Sequence, residues 1–218
     1  MKELDRQAIL DLGKTIDDFL KVEQIYRGAI KEITTKLEIL NEQYQVIHGH
    51  SLIHSLESRV KAPESIIEKL GRYGFNISLE SARDNLTDIA GIRVVTCFID
   101  DIYNLEELLL KQDDITLVTR KDYVETPKEN GYRSLHLIVS VPVFLADRTE
   151  QVPVEIQLRT ISMDFWASLE HQLRYKQVKF IPERINMELK HCAEIGGSLD
   201  KRMQRIHNEL ESIEDIEE

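Results

Sequence analysis

The chain predicts an α+β fold: a mixed, largely antiparallel β-sheet of 4-5 strands flanked by helices, with long N- and C-terminal helices. Three observations carry this. Apolar residues from Phe19 to Ile47 recur at steps of three and four, the period of a helix. Residues 89–98 are apolar apart from Arg93 and Thr96, which marks a strand buried on both faces. Residues 151–159 alternate Val152, Val154, Ile156, Leu158 against Glu155, Gln157, Arg159, the period of a strand with one dry and one polar face. Helices come first, strands with intervening helices follow, and helices close the chain.

Taken in order, residues 15–47 form one helix of roughly 50 Å at 1.5 Å per residue. Residues 48–59 are polar and irregular. A short helix opens near Pro63, a residue suited to a first turn, and ends near Gly71 or Gly74. Residues 89–98 are a strand, 100–112 a helix, 115–123 a strand and 124–131 a loop. Two strands follow at 133–141 and 151–159. Thr160 or Ser162 caps a helix running to about Lys176. Pro182 opens a C-terminal helical region with a possible break at Gly196-Gly197. Its Leu199, Met203, Ile206, Leu210 and Ile213 are spaced as a short heptad seam, which suits packing on the N-terminal helix or a subunit interface. The 218 residues read as a single domain, with an N-terminal helical region at 1–47, a core at 48–176 and a C-terminal helical region at 177–218.

At 42% hydrophobic and 31% charged residues the composition is that of a water-soluble globular protein. The sequence holds no apolar run of membrane-spanning length and no signal-like start, so a cytoplasmic location is expected. Cys97 and Cys192 lack metal-ligand spacing and read as buried reduced thiols. The net charge of −11 argues against nucleic acid as the main partner and makes any anion site a local basic island.

Several residues have the chemistry for phosphate and metal. Asp88, just ahead of the 89–98 strand, and Glu155, on the polar side of the last strand, would share one Mg2+, which prefers one or two carboxylates plus substrate phosphates. Taken alone, Asp88 also suits a turn and Glu155 a solvated face. Arg93, in an apolar strand, needs an anionic partner or ligand. Ser65, Lys69 and Arg72 share one helical face, with Arg59 and Lys61 just before it, an arrangement for phosphate or for plain solvation. Lys121, Lys128 and Arg133 surround Gly131-Tyr132, where the ring can stack on a base and the lysines meet phosphates. In ISMDFWASLEHQLRYK, Trp166, Leu169 and Leu173 face the core, while Asp164, Ser168, His171 and Tyr175 face away. A carboxylate such as Asp164 can accept from the N1–H and N2–H edge of guanine, whereas His171 equally suits a structural hydrogen bond.

The segments SRVKAPESIIEKL, DIAGIRV, KENGYRSLHL, VEIQLRT and MDFWASLEHQLRYK, in this order, resemble the small alarmone synthetases of the RelA/SpoT family, RelP-type branch. The resemblance implies a nucleotidyltransferase-like synthetase fold. It also implies a GTP pyrophosphokinase that moves the β,γ-pyrophosphate of ATP to the 3′-hydroxyl of GDP or GTP, releasing AMP. By matched position, Arg59 and Arg93 would sandwich adenine, and Lys61, Ser65 and Lys69 would hold ATP phosphates. Asp88 would bind Mg2+, and Glu155 would bind metal, activate the hydroxyl, or both. Tyr132 would stack on guanine, with Lys121 and Lys128 on the acceptor's phosphates and Asp164 and His171 on the acceptor side. A homotetramer is implied, with no membrane, no ribosome requirement and no RNA as primary ligand. No His is followed by Asp, the doublet of the family's hydrolase domain, so synthesis alone is expected. Nucleotidyl transfer would call for a Gly-Ser pair ahead of Asp-x-Asp, which does not occur, and a degenerate nucleotide sensor would not need Asp88, Glu155 and Tyr132.

Overall fold

The computed structural model describes residues 2–175 and 182–217, with side chains over 20–173 and 182–213. The expected core position Phe19, the Tyr175 side chain and the expected helix end at Lys176 lie outside what is described. The order is α1 (Lys2–His48), β1 (Ile53–Val60), α2 (Pro63–Tyr73), α3 (Leu79–Asn85), β2 (Ala90–Thr96), α4 (Ile99–Leu110), β3 (Thr116–Asp122), β4 (Leu135–Phe144), β5 (Thr149–Thr160), α5 (Ile161–Tyr175) and α6 (Glu183–Glu217).

The five strands form one mixed sheet in the order β1-β2-β5-β4-β3. β2 and β5 run parallel, and every other neighbouring pair is antiparallel. One face of the sheet is dry. Ile92 and Val94 of β2, Leu135, Leu137, Val139 and Val141 of β4, and Val152, Val154, Ile156 and Leu158 of β5 are buried there. Tyr26, Ala29, Ile30, Ile33 and Leu37 of α1 and Ile102, Leu105 and Leu109 of α4 join them in one cluster. Each such aliphatic side chain contributes about 1.5–3 kcal/mol through its burial. The opposite face carries polar side chains, and register lines them up. Glu57, Arg93, Gln157, His136 and Lys121 are partners in turn across all five strands, and Arg59, Gly91 and Glu155 form the adjacent row. Partners on neighbouring strands share a face, so the alternation in each strand builds one polar surface.

Local signals set the ends of the elements. Pro63 opens α2, and Gly74 at φ 73° closes it in the left-handed region. Ser78 caps α3, its hydroxyl accepting from Ser81 N–H at 3.1 Å. Thr160, one of the two expected caps, accepts from Met163 N–H at 3.2 Å and starts α5.

The structure corrects several expectations. Residues 53–60, which overlap the stretch 48–59 read as irregular, are strand β1, so Arg59 lies on a strand and not in a loop. β1 is an edge strand with most side chains exposed, and its polar sequence has no apolar alternation to reveal it. Helix α1 begins at Lys2, and its Ile47 is 64% exposed. Helix α6 runs unbroken through Gly196-Gly197, where a Cβ would come 3.2 Å from Ser162 Oγ and 3.0 Å from the Arg133 guanidinium; the pair admits neighbours and does not break the helix. Leu169 and Leu173 are not core: α5 buries Met163, Trp166 and Ala167, and leaves Leu169 43% and Leu173 53% exposed. The heptad seam of α6 is also about half exposed along its length. Cys97 is half-buried and Cys192 exposed, so neither is a fully buried thiol. Among the described residues no helix is long and apolar enough to cross a membrane.

Candidate active site

The polar face of the sheet opens into a cleft of about 310 Å3 lined by Arg59 and Glu57 of β1, Lys61, Asp88, Gly91 and Arg93, and Glu155 and Gln157 of β5. Arg59 stands opposite Gly91, and Arg93 opposite Glu57. The two arginines therefore lie on the same face of the β1–β2 pair, two residues out of step, with bare Gly91 opposite Arg59 and Glu57, 3.6 Å from the Arg93 guanidinium, at the other corner.

Asp88 precedes β2 by two residues and is braced from two directions. Lys61, at the end of β1, donates to its Oδ2, and Lys69, one turn before the end of α2, lies 2.7 Å from the same oxygen. Backbone pairing of Lys61 N–H with Ile89 C=O at 2.8 Å holds the lysine in place. Burial would raise the Asp88 carboxyl, but the hydrogen bonds and charge of the two lysines outweigh it and hold it below the usual carboxylate value. Its other oxygen, Oδ1, is buried without a protein partner. A buried, ionised, unpartnered carboxylate oxygen beside open space fits a hard cation.

Glu155, on the neighbouring parallel strand, sits in a closed ring of polar contacts. Its Oε1 lies 3.4 Å from His136 Nδ1, and its Oε2 accepts from Gln157 Nε2 at 3.1 Å. His136 Nε2 is 2.8 Å from the Tyr132 hydroxyl. Arg159 donates to that hydroxyl at 2.7 Å and to Gln157 Oε1 at 2.8 Å, closing the ring. The Tyr132 hydroxyl thus links Arg159 to one nitrogen of the His136 ring, whose other nitrogen faces Glu155. Burial pushes the Glu155 carboxyl up and the charge of Asp88 adds to that, but His136 and Gln157 prevail and keep it below its ordinary value. Both acids are thus ionised at neutral pH. Arg159 is 5% exposed and also reaches Asp164 Oδ1 at 3.1 Å, and Arg93 Nε lies 3.5 Å from the same oxygen.

Most of the expected residues converge. Arg59, Lys61, Asp88, Arg93 and Glu155 line the cleft, and Lys69 reaches it through Asp88. Ser65 is exposed on α2, while Arg72 turns away to pair with Glu68 at 2.8 Å. Tyr132 borders the Glu155 ring. Lys128, from the loop before it, lies 4.8 Å over the Tyr132 ring and 4.5 Å over Tyr123. Lys121 is exposed on β3, directly across from His136. Asp164 joins the site through the two arginines, and His171 is exposed two turns further along α5. His136, Tyr123 and Arg159 were not singled out from sequence. His136 had one signal, its polar position in the alternation of Leu135, Leu137 and Val139.

Comparison with known proteins matches residues 58–179 to the family described as "Region found in RelA / SpoT proteins". The GTP pyrophosphokinase YwaC of Bacillus subtilis is 45% identical over 201 residues, covering 92% of this chain and 96% of that protein. The GTP pyrophosphokinase YjbM of the same organism is 38% identical, covering 87% and 88%. Among solved structures, the small alarmone synthetase 2 of B. subtilis superposes with a TM-score of 0.78 over 85% of this chain and 97% of that one, at 45% identity. The small alarmone synthetase 1 of B. subtilis, bound to its product pppGpp, superposes with a TM-score of 0.80 over 88% and 97%, at 38% identity.

Proposed function

The chain belongs to the RelA/SpoT family and is a GTP pyrophosphokinase that makes (p)ppGpp, and we propose that the cleft described above performs the transfer. The observation that carries this reading is that Asp88, just ahead of β2, and Glu155, on the parallel neighbour β5, line one cleft, with Lys61 and Lys69 on one side and the Tyr132 ring on the other.

The donor ATP would lie on the β1–β2 side. Arg59 and Arg93, flanking the open Gly91 position, suit the two faces of adenine. Lys61 and Lys69 would meet its phosphates, with Ser65 in the first turn of α2. The acceptor would lie against Tyr132. Its hydroxyl is fixed by His136 and Arg159, so the ring is a preorganised platform for guanine. Lys128 and Lys121 would take the acceptor's phosphates. Asp164, one oxygen held by arginines, offers the other to the guanine donors, and His171 shares its helical face.

In the reaction the acceptor's 3′-oxygen forms a bond to the β-phosphorus of ATP. The bond from that phosphorus to the α-bridging oxygen breaks, and AMP leaves with the electron pair. The hydroxyl proton passes to the Glu155 carboxylate or to water beside it. A carboxylate held below its usual value is a weak base for a ribose hydroxyl. A loose phosphoryl transition state needs little help from the nucleophile, however, so positioning and charge would supply most of the acceleration. Mg2+, held by Asp88 and Glu155, would neutralise charge on the phosphate oxygens. The unpartnered Asp88 Oδ1 supports that assignment.

A cytoplasmic homo-oligomer, a tetramer by resemblance, that works without ribosomes and only in the synthetic direction completes the proposal. The exposed apolar residues of α6 support the oligomer. The test is purified protein with ATP, Mg2+ and GMP, GDP or GTP in turn, resolving products by anion exchange. AMP and a 3′-pyrophosphorylated guanosine nucleotide should appear in equal amounts. Glu155→Gln should lower turnover by about 10²–10⁴-fold. Wild-type turnover in the Gln variant would remove Glu155 from the chemistry.

A further inference from the structure

Tyr123 and Tyr132 flank the loop at 124–131, and the side chain of Lys128 lies between them. The two rings are 6.2 Å apart and inclined at 66°. Lys128 Nζ stands 4.5 Å over the Tyr123 ring and 4.8 Å over the Tyr132 ring. The lysine is exposed, in a chain of net charge −11 with Glu125 and Glu129 close by in sequence, yet among the described residues it makes no ion pair. Two aromatic rings hold its charge instead.

The surroundings fix this arrangement. Lys128 N–H donates to Tyr132 C=O at 3.1 Å, and Gly131 N–H donates to Lys128 C=O at 2.8 Å. Tyr123 N–H donates to Ser134 C=O at 3.0 Å, and its ring meets His136 edge-on at 5.4 Å. The Tyr132 hydroxyl is tied to Arg159 and His136, and its ring packs against the cluster of Trp166, Ala167 and Ala193. The side over which Lys128 lies is therefore the side open to a base.

We propose that Lys128 is a specificity-determining residue that occupies the guanine's place on Tyr132 until an acceptor with 5′-phosphates draws it away, and that Tyr123 is the positioning residue that holds it there. The inference rests on the acceptor assignment above. An offset-stacked ring sets its centroid about 4.5–7 Å from its partner's, and the ammonium at 4.8 Å already lies in that space. A base must displace it. Each cation–π contact at an exposed site amounts to about 2–5-fold in affinity, so a guanine that displaces two loses about 5–30-fold. Phosphates offset that loss, because the displaced ammonium gains a charge-assisted contact of about 10–100-fold. Lys128 thus acts against the bare nucleoside and in favour of GDP and GTP. A lysine that only met phosphate would do the second and not the first.

The test is equilibrium dialysis of tritiated guanosine and of tritiated GTP against the full chain. Mg2+ is present, with an ATP analogue whose α,β-bridge is methylene and so cannot release AMP. Lys128→Ala removes the ammonium at an exposed loop position. Guanosine should bind this variant about 5–30-fold more tightly than wild type, while the preference for GTP over guanosine falls about 10–100-fold. Tyr123→Leu should tighten guanosine about 2–5-fold, and Tyr123→Phe, which keeps a ring, should match wild type. Guanosine affinity that is unchanged or weaker in Lys128→Ala would overturn the proposal, even where GTP binding falls. Tyr132→Ala separates this result from the acceptor assignment. It should abolish guanosine binding with or without Lys128, and guanosine binding that survives Tyr132→Ala would overturn the assignment and the proposal together.

Discussion

Tyr132 shows how one side chain serves two purposes that substitution can separate. Its ring would stack on the acceptor's base in the proposed site, and its hydroxyl links Arg159 to His136 and so to Glu155. Tyr132→Phe keeps the ring and removes the relay, and should lower kcat about 10-fold, the worth of one hydrogen bond, with little change in KM for GTP. Tyr132→Ala should also raise that KM about 10–100-fold through lost base stacking. Steady-state kinetics with each variant checks both, and an unchanged kcat in the Phe variant would detach the hydroxyl from Glu155. Asp200 gives a pH prediction. Burial raises its carboxyl above the ordinary value despite hydroxyl donation from Ser162 and Thr160. Between the unfolded and the raised value the folded protein binds more protons, so this residue's contribution to stability is lost as pH rises through that window. Asp200→Asn keeps the acceptor oxygen and removes the charge. Its unfolding temperature should therefore gain on the wild type as pH rises above about 4, and parallel curves would refute the assignment. Glu155 was marked in the sequence by strand alternation, whereas Asp88, Lys61 and Tyr132, which lie outside the strands, were marked by the motifs they sit in. His136 and Arg159 were not legible as partners, because their roles depend on which strands are neighbours, and β4 meets β5 with its polar side toward Glu155 only in the folded sheet.

At the scale of elements, the interior strands and the helices with clean caps were legible, and the edge was not. β2 and β5 bury one or both faces and write that burial into their sequence. β1 has one paired edge and mostly wet side chains, so nothing in its residues demands apolar alternation. α5 misled for a related reason: Leu169 and Leu173 follow the helical period, yet the buried face is Met163, which joins the sheet core, and Trp166 and Ala167, which cluster with Ala193 of α6. The junction of α6 with the loop at 124–131 is where one atom has most effect. Gly131 adopts φ 91°, and its α-carbon faces Ala193 with no room for a methyl. Gly131→Ala should cost about 1–3 kcal/mol in stability, read from the denaturant midpoint, and should reduce activity by displacing Tyr132. A midpoint within experimental error of wild type would show that α6 does not clamp this loop.

For the whole molecule, an acidic chain of net charge −11 gathers Arg59, Lys61, Lys69 and Arg93 at one cleft, and that local island gives a polyanionic substrate its place. The long helices leave apolar seams uncovered: Leu199, Met203, Ile206, Leu210 and Ile213 on α6, and Phe165, Leu169 and Leu173 on α5. In the proposed oligomer these seams would be the subunit contacts. Leu199→Asp with Met203→Asp should shift the mass measured by light scattering from oligomer to monomer, and a monomeric wild type would refute it. The central claim is transfer of an intact pyrophosphoryl group by attack at the β-phosphorus, and ATP labelled with ³²P at that atom tests it most directly. Incubated with GTP and the purified protein, the label should move to the guanosine product and leave AMP unlabelled. Label remaining in ADP would mean transfer of the γ-phosphoryl group alone, and label released as free pyrophosphate would mean nucleotidyl transfer. Either would contradict the account.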